Sequence, residues 1–155
     1  MNISPRAIHH WSQNDRLNKS DTQIAFFILR LGLAIVFLWF GIDKFIHMSN
    51  WIGWVPDWMQ AMIPFSVTAF MYIQGVVETL AGFFLLMGIY PRLAALVCAL
   101  ILIGIEITLF GTGQIEMMIR DGGLLAASIS LFFLGAQRDT FIQDRHEGTV
   151  KHERH

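Results

Sequence analysis

One acidic residue inside an otherwise apolar stretch constrains this chain more than any other feature. Residues 72–88 read YIQGVVETLAGFFLLMG and carry Glu78 near the middle. An ionised carboxylate in hydrocarbon is costly, so a membrane-spanning helix rarely contains one unless a partner charge or a water pocket receives it. The other apolar segments are therefore predicted to shield this helix from lipid and to bring charges of their own to Glu78.

The composition indicates a membrane protein. Of the 155 residues, 54% are hydrophobic and only 15% are charged, which is too apolar for a soluble domain of this length. A net charge of −1 argues against a nucleic-acid partner, because such a protein needs a basic face to neutralise phosphates. The single Cys98 excludes an intramolecular disulfide and a CxxC redox pair, so any redox role must use a borrowed electron carrier.

Four apolar segments are predicted to cross the bilayer as helices, at about 23–45, 66–89, 92–110 and 116–135. Each is long enough to span ~30 Å of hydrocarbon at about 1.5 Å per residue. The fold prediction is an all-α integral membrane four-helix bundle. Residues 1–22 are predicted to form a cytoplasmic N-terminal arm, 23–135 the membrane domain and 136–155 a cytoplasmic polar tail.

The connection between the first two spans, residues 46–65, contains Trp51, Trp54 and Trp58. Aromatic residues at this density beside a span are typical of the membrane interface. They predict an amphipathic segment that lies on the outer surface or folds over the mouth of the bundle, and a membrane anchor is favoured over a ligand lid. His47, Trp51 and Trp54 are candidates for contacting a cofactor, although an interfacial His usually serves no ligand.

Seven charged residues within or beside the spans are candidate functional groups: Arg30, Asp43, Lys44, Glu78, Glu106, Arg120 and Asp121. Helix rise places Arg30 ~10 Å and Glu78 ~16 Å from the inner boundary, so these two are predicted to pair. The other five are predicted to form a network in the outer half of the bundle. Ion pairs that only fix helix register remain an alternative to a functional role.

The sequence offers no metal or haem site. No span carries a His in its interior, and the tail residues His146, His152 and His155 are predicted to be solvated. No nucleotide-binding, metalloprotease or serine-hydrolase motif is present, and no catalytic residue can be named.

Three pieces of the sequence together resemble the DoxX family of small four-helix membrane proteins. They are LRLGLAIVFLWFGIDKF, ETLAGFFLLMGIYPRLAAL and RDGGLL, and the resemblance covers about residues 26–135. Its distinctive positions are Arg30, Gly41, Lys44, Glu78, Gly82, Gly88, Arg92, Arg120 and Asp121. The resemblance implies a bacterial inner-membrane protein whose relatives include the membrane subunit of a thiosulfate:quinone oxidoreductase and membrane partners in oxidant responses. It supplies no catalytic residue.

The leading hypothesis is a membrane subunit of a redox or oxidant-response system, which receives a quinone or docks a soluble redox partner. Glu78 or Glu106 would exchange protons, and Arg30 or Lys44 would stabilise negative charge on the reduced quinone. The alternatives are a small transporter or permeation module for protons or small solutes, and a membrane scaffold without catalysis. Whether the chain is an enzyme, and whether it forms oligomers, stays open at this point.

Both termini are predicted to lie in the cytoplasm, because that orientation places eight Arg and Lys side chains inside and two outside, Arg30 being within the first span. A reporter fused after Phe65 should therefore show an external location, and one fused after His155 a cytoplasmic location. The reverse pattern would overturn the orientation.

Overall fold

The computed structural model describes the backbone of residues 5–152 and the side chains of residues 21–135. This part of the chain folds into helices and contains no strand. The helices are α1 (Pro5–Ile46), α2 (Met48–Ile52), α3 (Asp57–Met62), α4 (Val67–Met87), α5 (Pro91–Phe110) and α6 (Ile115–His152).

Four helical stretches are long and apolar enough to cross a membrane: Asp21–Ile46, Val67–Met87, Pro91–Phe110 and Ile115–Gly135. The predicted all-α four-helix membrane bundle is therefore confirmed, with boundaries close to those expected. The first and last helices extend beyond the spans, since α1 begins at Pro5 and α6 runs to His152. The side chains of residues 1–20 and 136–155, including His146, His152 and His155, lie outside the described residues.

Local sequence explains why α4 and α5 are joined so tightly. Gly88 ends α4 with φ 71°, in the left-handed conformation that glycine adopts without steric cost, and its N–H bonds to carbonyls of the last turn. Pro91 occupies the first turn of α5, where its missing N–H costs nothing. The chain therefore reverses within a few residues, which places α4 and α5 antiparallel.

Glycines allow α1 and α4 to pack closely. A Cβ added at Gly82 would lie 2.8 Å from the backbone nitrogen of Leu38, and one at Gly41 would lie 2.7 Å from the backbone nitrogen of Thr79. Real side chains do not come so near to a backbone, so these positions must stay small for the helices to approach. These contacts fix the register of α1 against α4.

The bundle consists of two closely packed pairs, α1 with α4 and α5 with α6, which contact each other less extensively. A buried core joins the pairs along the half of the bundle nearer the chain termini. Many of its members are small, and Cys98 is fully buried there. The core comprises Phe26, Leu33, Ala34, Phe37, Ala81, Leu85, Ala94, Ala95, Cys98, Leu102 and Leu131.

Residues 47–65, which contain α2 and α3 and which we call the cap, fold over the opposite end of the bundle. Val55 is buried, and its carbonyl accepts a 2.8 Å hydrogen bond from Gln60 Nε2. Met59 Sδ accepts a 3.5 Å hydrogen bond from Thr108 Oγ1 of α5. Of the two arrangements expected for this segment, the structure thus shows the one in which it folds over the mouth of the bundle. We call the covered end the cap end and the other the termini end.

Gly82→Ala should destabilise the bundle, because the added Cβ meets the α1 backbone at Leu38. Overpacking of this kind costs about 1–3 kcal/mol, so the melting temperature in detergent should fall by several degrees. Gly32→Ala in α1 is the matched control, since a Cβ there meets nothing within 4 Å. Equal melting temperatures for the two variants would show that α1 and α4 do not pack through Gly82.

Candidate functional site

Glu78 is buried against Lys44. Lys44 Nζ lies 2.5 Å from Glu78 Oε2, and each side chain is only 2% exposed. Gln74 Nε2 donates a longer hydrogen bond of 3.3 Å to the other carboxylate oxygen. Both oxygens of Glu78 therefore have a donor, which is the condition under which a charged group can remain inside a membrane protein.

The predicted pairing of Arg30 with Glu78 is wrong. The Arg30 guanidinium lies beside Gly88, at the C-terminal end of α4, and stacks on Phe27 with 5.5 Å between Cζ and the ring centroid. Gly88 is ten residues beyond Glu78 on the chain, which corresponds to about 15 Å along the helix axis. Arg30 is therefore at the termini end and not in the site.

The predicted pairing assumed that the first two spans end at the same depth in the membrane. In the structure α4 begins beyond the end of α1, and Lys44 Cβ contacts Gly75, about two turns into α4. Lys44 is thus brought into the same layer as Glu78, although it belongs to the last turn of α1.

Trp51 of the cap covers the Lys44 ammonium group. The Lys44 Nζ lies 4.0 Å from the centroid of the Trp51 ring, within the range of a cation–π interaction. Asp43 holds the indole in place, because Asp43 Oδ2 accepts a 2.9 Å hydrogen bond from Trp51 Nε1. Asp43 Oδ1 lies 2.7 Å from Nδ1 of the exposed His47. The cap is therefore tied to the ion pair through a side chain that carries no charge.

A second ion pair lies on α6. Arg120 Nε and Nη2 donate to the two carboxylate oxygens of Asp121 at 2.7 and 3.1 Å. Asp121 is buried, whereas the Arg120 side chain is half exposed and lies 5.3 Å from the centroid of the Phe40 ring in α1. Each of the two cations thus pairs with a carboxylate and stacks on an aromatic ring.

Both ion pairs line one cavity of about 420 Å³, which lies under the cap and between the two helix pairs. The polar part of the wall is Lys44, Gln74, Glu78, Thr108, Arg120 and Asp121 together with the Trp51 indole. Most of the remaining wall is apolar, from Val36, Phe37, Phe40, Trp54, Val55, Met59, Phe70, Met71, Ile73, Val77, Leu100, Ile101, Leu102, Ile105, Leu109, Met117 and Leu124. This combination suits a largely apolar ligand with a small polar head group.

The cavity brings together part of the predicted set. Of the seven candidate charges, Lys44, Glu78, Arg120 and Asp121 line it, together with the weaker candidates Trp51 and Trp54. Asp43 and His47 stand behind Trp51, and Glu106 lies in a separate groove. Gln74 and Phe40 were missed. Gln74 could have been found from its i, i+4 spacing to Glu78, which places both on one helix face.

Lys44 and Glu78 should be energetically coupled. Glu78→Gln or Lys44→Met alone leaves an unpaired buried charge and should cost about 3–5 kcal/mol, whereas the double variant leaves none and should recover much of the loss. Thermal melting of the four purified proteins measures the coupling. In the parallel cycle of Arg30→Gln with Glu78→Gln, the two losses should add; additivity in the Lys44 cycle instead would contradict the observed pair.

Comparison with known proteins and protein families identifies the family of this chain. No curated protein and no solved structure matches the chain. The sequence model of the DoxX family matches residues 25–111, which run from the membrane half of α1 through the cap and α4 to the end of α5. The match includes both members of the Lys44–Glu78 pair and covers more than half of the chain. The chain is a multi-pass membrane protein that belongs to the DoxX family.

Proposed function

We propose that this protein is the membrane subunit of a redox or oxidant-response system and that its cavity binds the head group of a quinone. The observation that carries the proposal is the composition of the cavity wall. An apolar chamber of about 420 Å³ presents two ion pairs, the Gln74 amide, the Thr108 hydroxyl and the indoles of Trp51 and Trp54. A quinone has the matching chemistry, since its ring is apolar and flat and its two carbonyl oxygens accept hydrogen bonds.

The donors needed for the two carbonyl oxygens come from different helices. Lys44 and Gln74 stand on α1 and α4, and Arg120 stands on α6. Because the cavity lies between the helix pairs, a ring bound there would have cationic donors from both pairs within the same chamber. Phe40 and Trp51 add flat aromatic faces against which such a ring can stack.

The cavity also holds groups that can exchange protons. Conversion of a quinone to a quinol consumes two electrons and two protons, and the electrons would come from a soluble redox partner. Glu78 and Asp121 are the two carboxyl groups in the wall. Each is paired with a cation, so a proton that arrives at or leaves either carboxylate changes the charge balance of the chamber.

The proposal places the protein in a bacterial inner membrane with both termini in the cytoplasm. The support is the distribution of Arg and Lys described above. In this orientation the cavity and the cap face the outer half of the membrane, and the long extensions of α1 and α6 project into the cytoplasm.

The rival hypothesis, a permeation module, draws less support from the packing. Leu33, Phe37 and Leu85 are nearly or fully buried between the cavity and the termini end. A solute that entered from the cap end would meet this packed layer.

Quinone binding is tested in two steps. Lipids extracted from the purified protein and analysed by mass spectrometry should contain a quinone. A short-chain benzoquinone added to the delipidated protein should then quench tryptophan fluorescence in a saturable manner, and the Trp51→Phe variant should lose part of the quenching.

Gln74→Leu should weaken binding about tenfold, the effect of losing one hydrogen bond in an apolar site. Gln23→Leu is the matched control, because Gln23 is exposed near the termini end and does not line the cavity. A preparation without extractable quinone and without saturable quenching would contradict the proposal, and solute flux in liposomes would then favour the rival.

A further inference from the structure

Glu106 has no place in the cavity and no visible partner. Its Oε1 atom is buried, yet it has no hydrogen-bond partner among the described residues, the one such side-chain oxygen or nitrogen in this part of the chain. Gly122 of α6 lies close by, since a Cβ added there would be 3.5 Å from Glu106 Oε1. An unsatisfied carboxylate at membrane depth is costly, so a donor from outside the described chain is to be expected there.

The carboxylate lines a groove that opens on the outside of the α5–α6 pair. The other lining residues are apolar or glycine: Phe110, Gly113, Ile115, Met118, Ile119, Gly122 and Leu125. Phe110 is 80% and Ile119 is 73% exposed, as suits side chains that face lipid tails. Glu106 is four residues before the end of α5, which puts its backbone about 6 Å below the end of the span.

We propose that this groove binds an aminophospholipid, whose primary ammonium group donates hydrogen bonds to Glu106. Charge complementarity favours an aminophospholipid as the ligand. The groove offers one carboxylate within an apolar wall, and an aminophospholipid offers one ammonium group joined to acyl chains. Glu106 lies about one helical turn below the end of α5, so the ammonium can reach it from the adjoining head-group layer while the acyl chains run along the exposed Ile107 and Ile103 of α5.

A second copy of the chain fits the groove less well. In a dimer related by an axis along the membrane normal, residues of similar depth face one another. The cations described at the cap end are Lys44 and Arg120, and each already pairs with a carboxylate of its own chain. A lipid ammonium requires no such pair to break.

The test is lipid retention by the purified full-length protein, measured by native mass spectrometry. Phosphatidylethanolamine, its monomethyl and dimethyl derivatives and phosphatidylcholine are supplied with identical acyl chains. Successive methylation removes N–H donors while the positive charge stays. Retention should fall along the series, with about a tenfold difference between its ends, the ratio expected for loss of one charge-assisted hydrogen bond.

Glu106→Gln should abolish the preference for phosphatidylethanolamine, whereas Glu116→Gln, at an exposed acid in the first turn of α6, should leave it intact. Equal retention of all four lipids by the unmodified protein would overturn the proposal, and that measurement does not depend on any variant folding. A dimer that Glu106→Gln dissociates, without any lipid preference, would overturn it in favour of an interface between copies.

Discussion

The buried ion pair between Lys44 and Glu78 is the interaction on which the rest of the structure depends. A carboxylate in the middle of α4 is tolerated only if a cation reaches it within the protein. Lys44 can do so because α1 lies directly against α4 at Gly41, Gly75 and Gly82. The close helix contact and the charge pair therefore require one another, since the glycines set the register and the register brings the charges together.

The same pair accounts for the difference between the two ends of the bundle. Toward the termini end, small residues such as Ala34, Ala81 and Ala95 let the helix pairs meet in a continuous core. Toward the cap end, the charged side chains and rings such as Phe40 stand between the pairs, and a cavity remains. The cap then covers the polar layer, and the Trp51 indole replaces water around the ammonium group. The termini end of the bundle is thus closely packed, whereas the cap end contains a cavity.

Features that depend on the sequence of one segment could be predicted, whereas features that depend on contacts between helices could not. The spans were predictable because each is a continuous apolar run, and the need for a partner at Glu78 followed from the cost of a charge in lipid. The pairing of Glu78 with Lys44 instead of Arg30 could not be predicted, because it depends on interhelical contacts at Gly41 and Gly82 that no spacing within one helix reveals. For the cap, the tryptophans indicated an interfacial position but not the contacts that fold it over the bundle.

Stability and ligand binding are expected to draw on the same side chains. Each oxygen of Glu78 already has a donor, and the ammonium of Lys44 is shared between the carboxylate and the Trp51 ring. A ligand carbonyl that enters the cavity must therefore take a share of donors that now hold the helices together. Loss of function in a Lys44 or Glu78 variant would not distinguish the two roles by itself. A Gln74 variant distinguishes ligand binding from stability better, because Gln74 contributes the longer hydrogen bond to Glu78 and is not part of the ion pair.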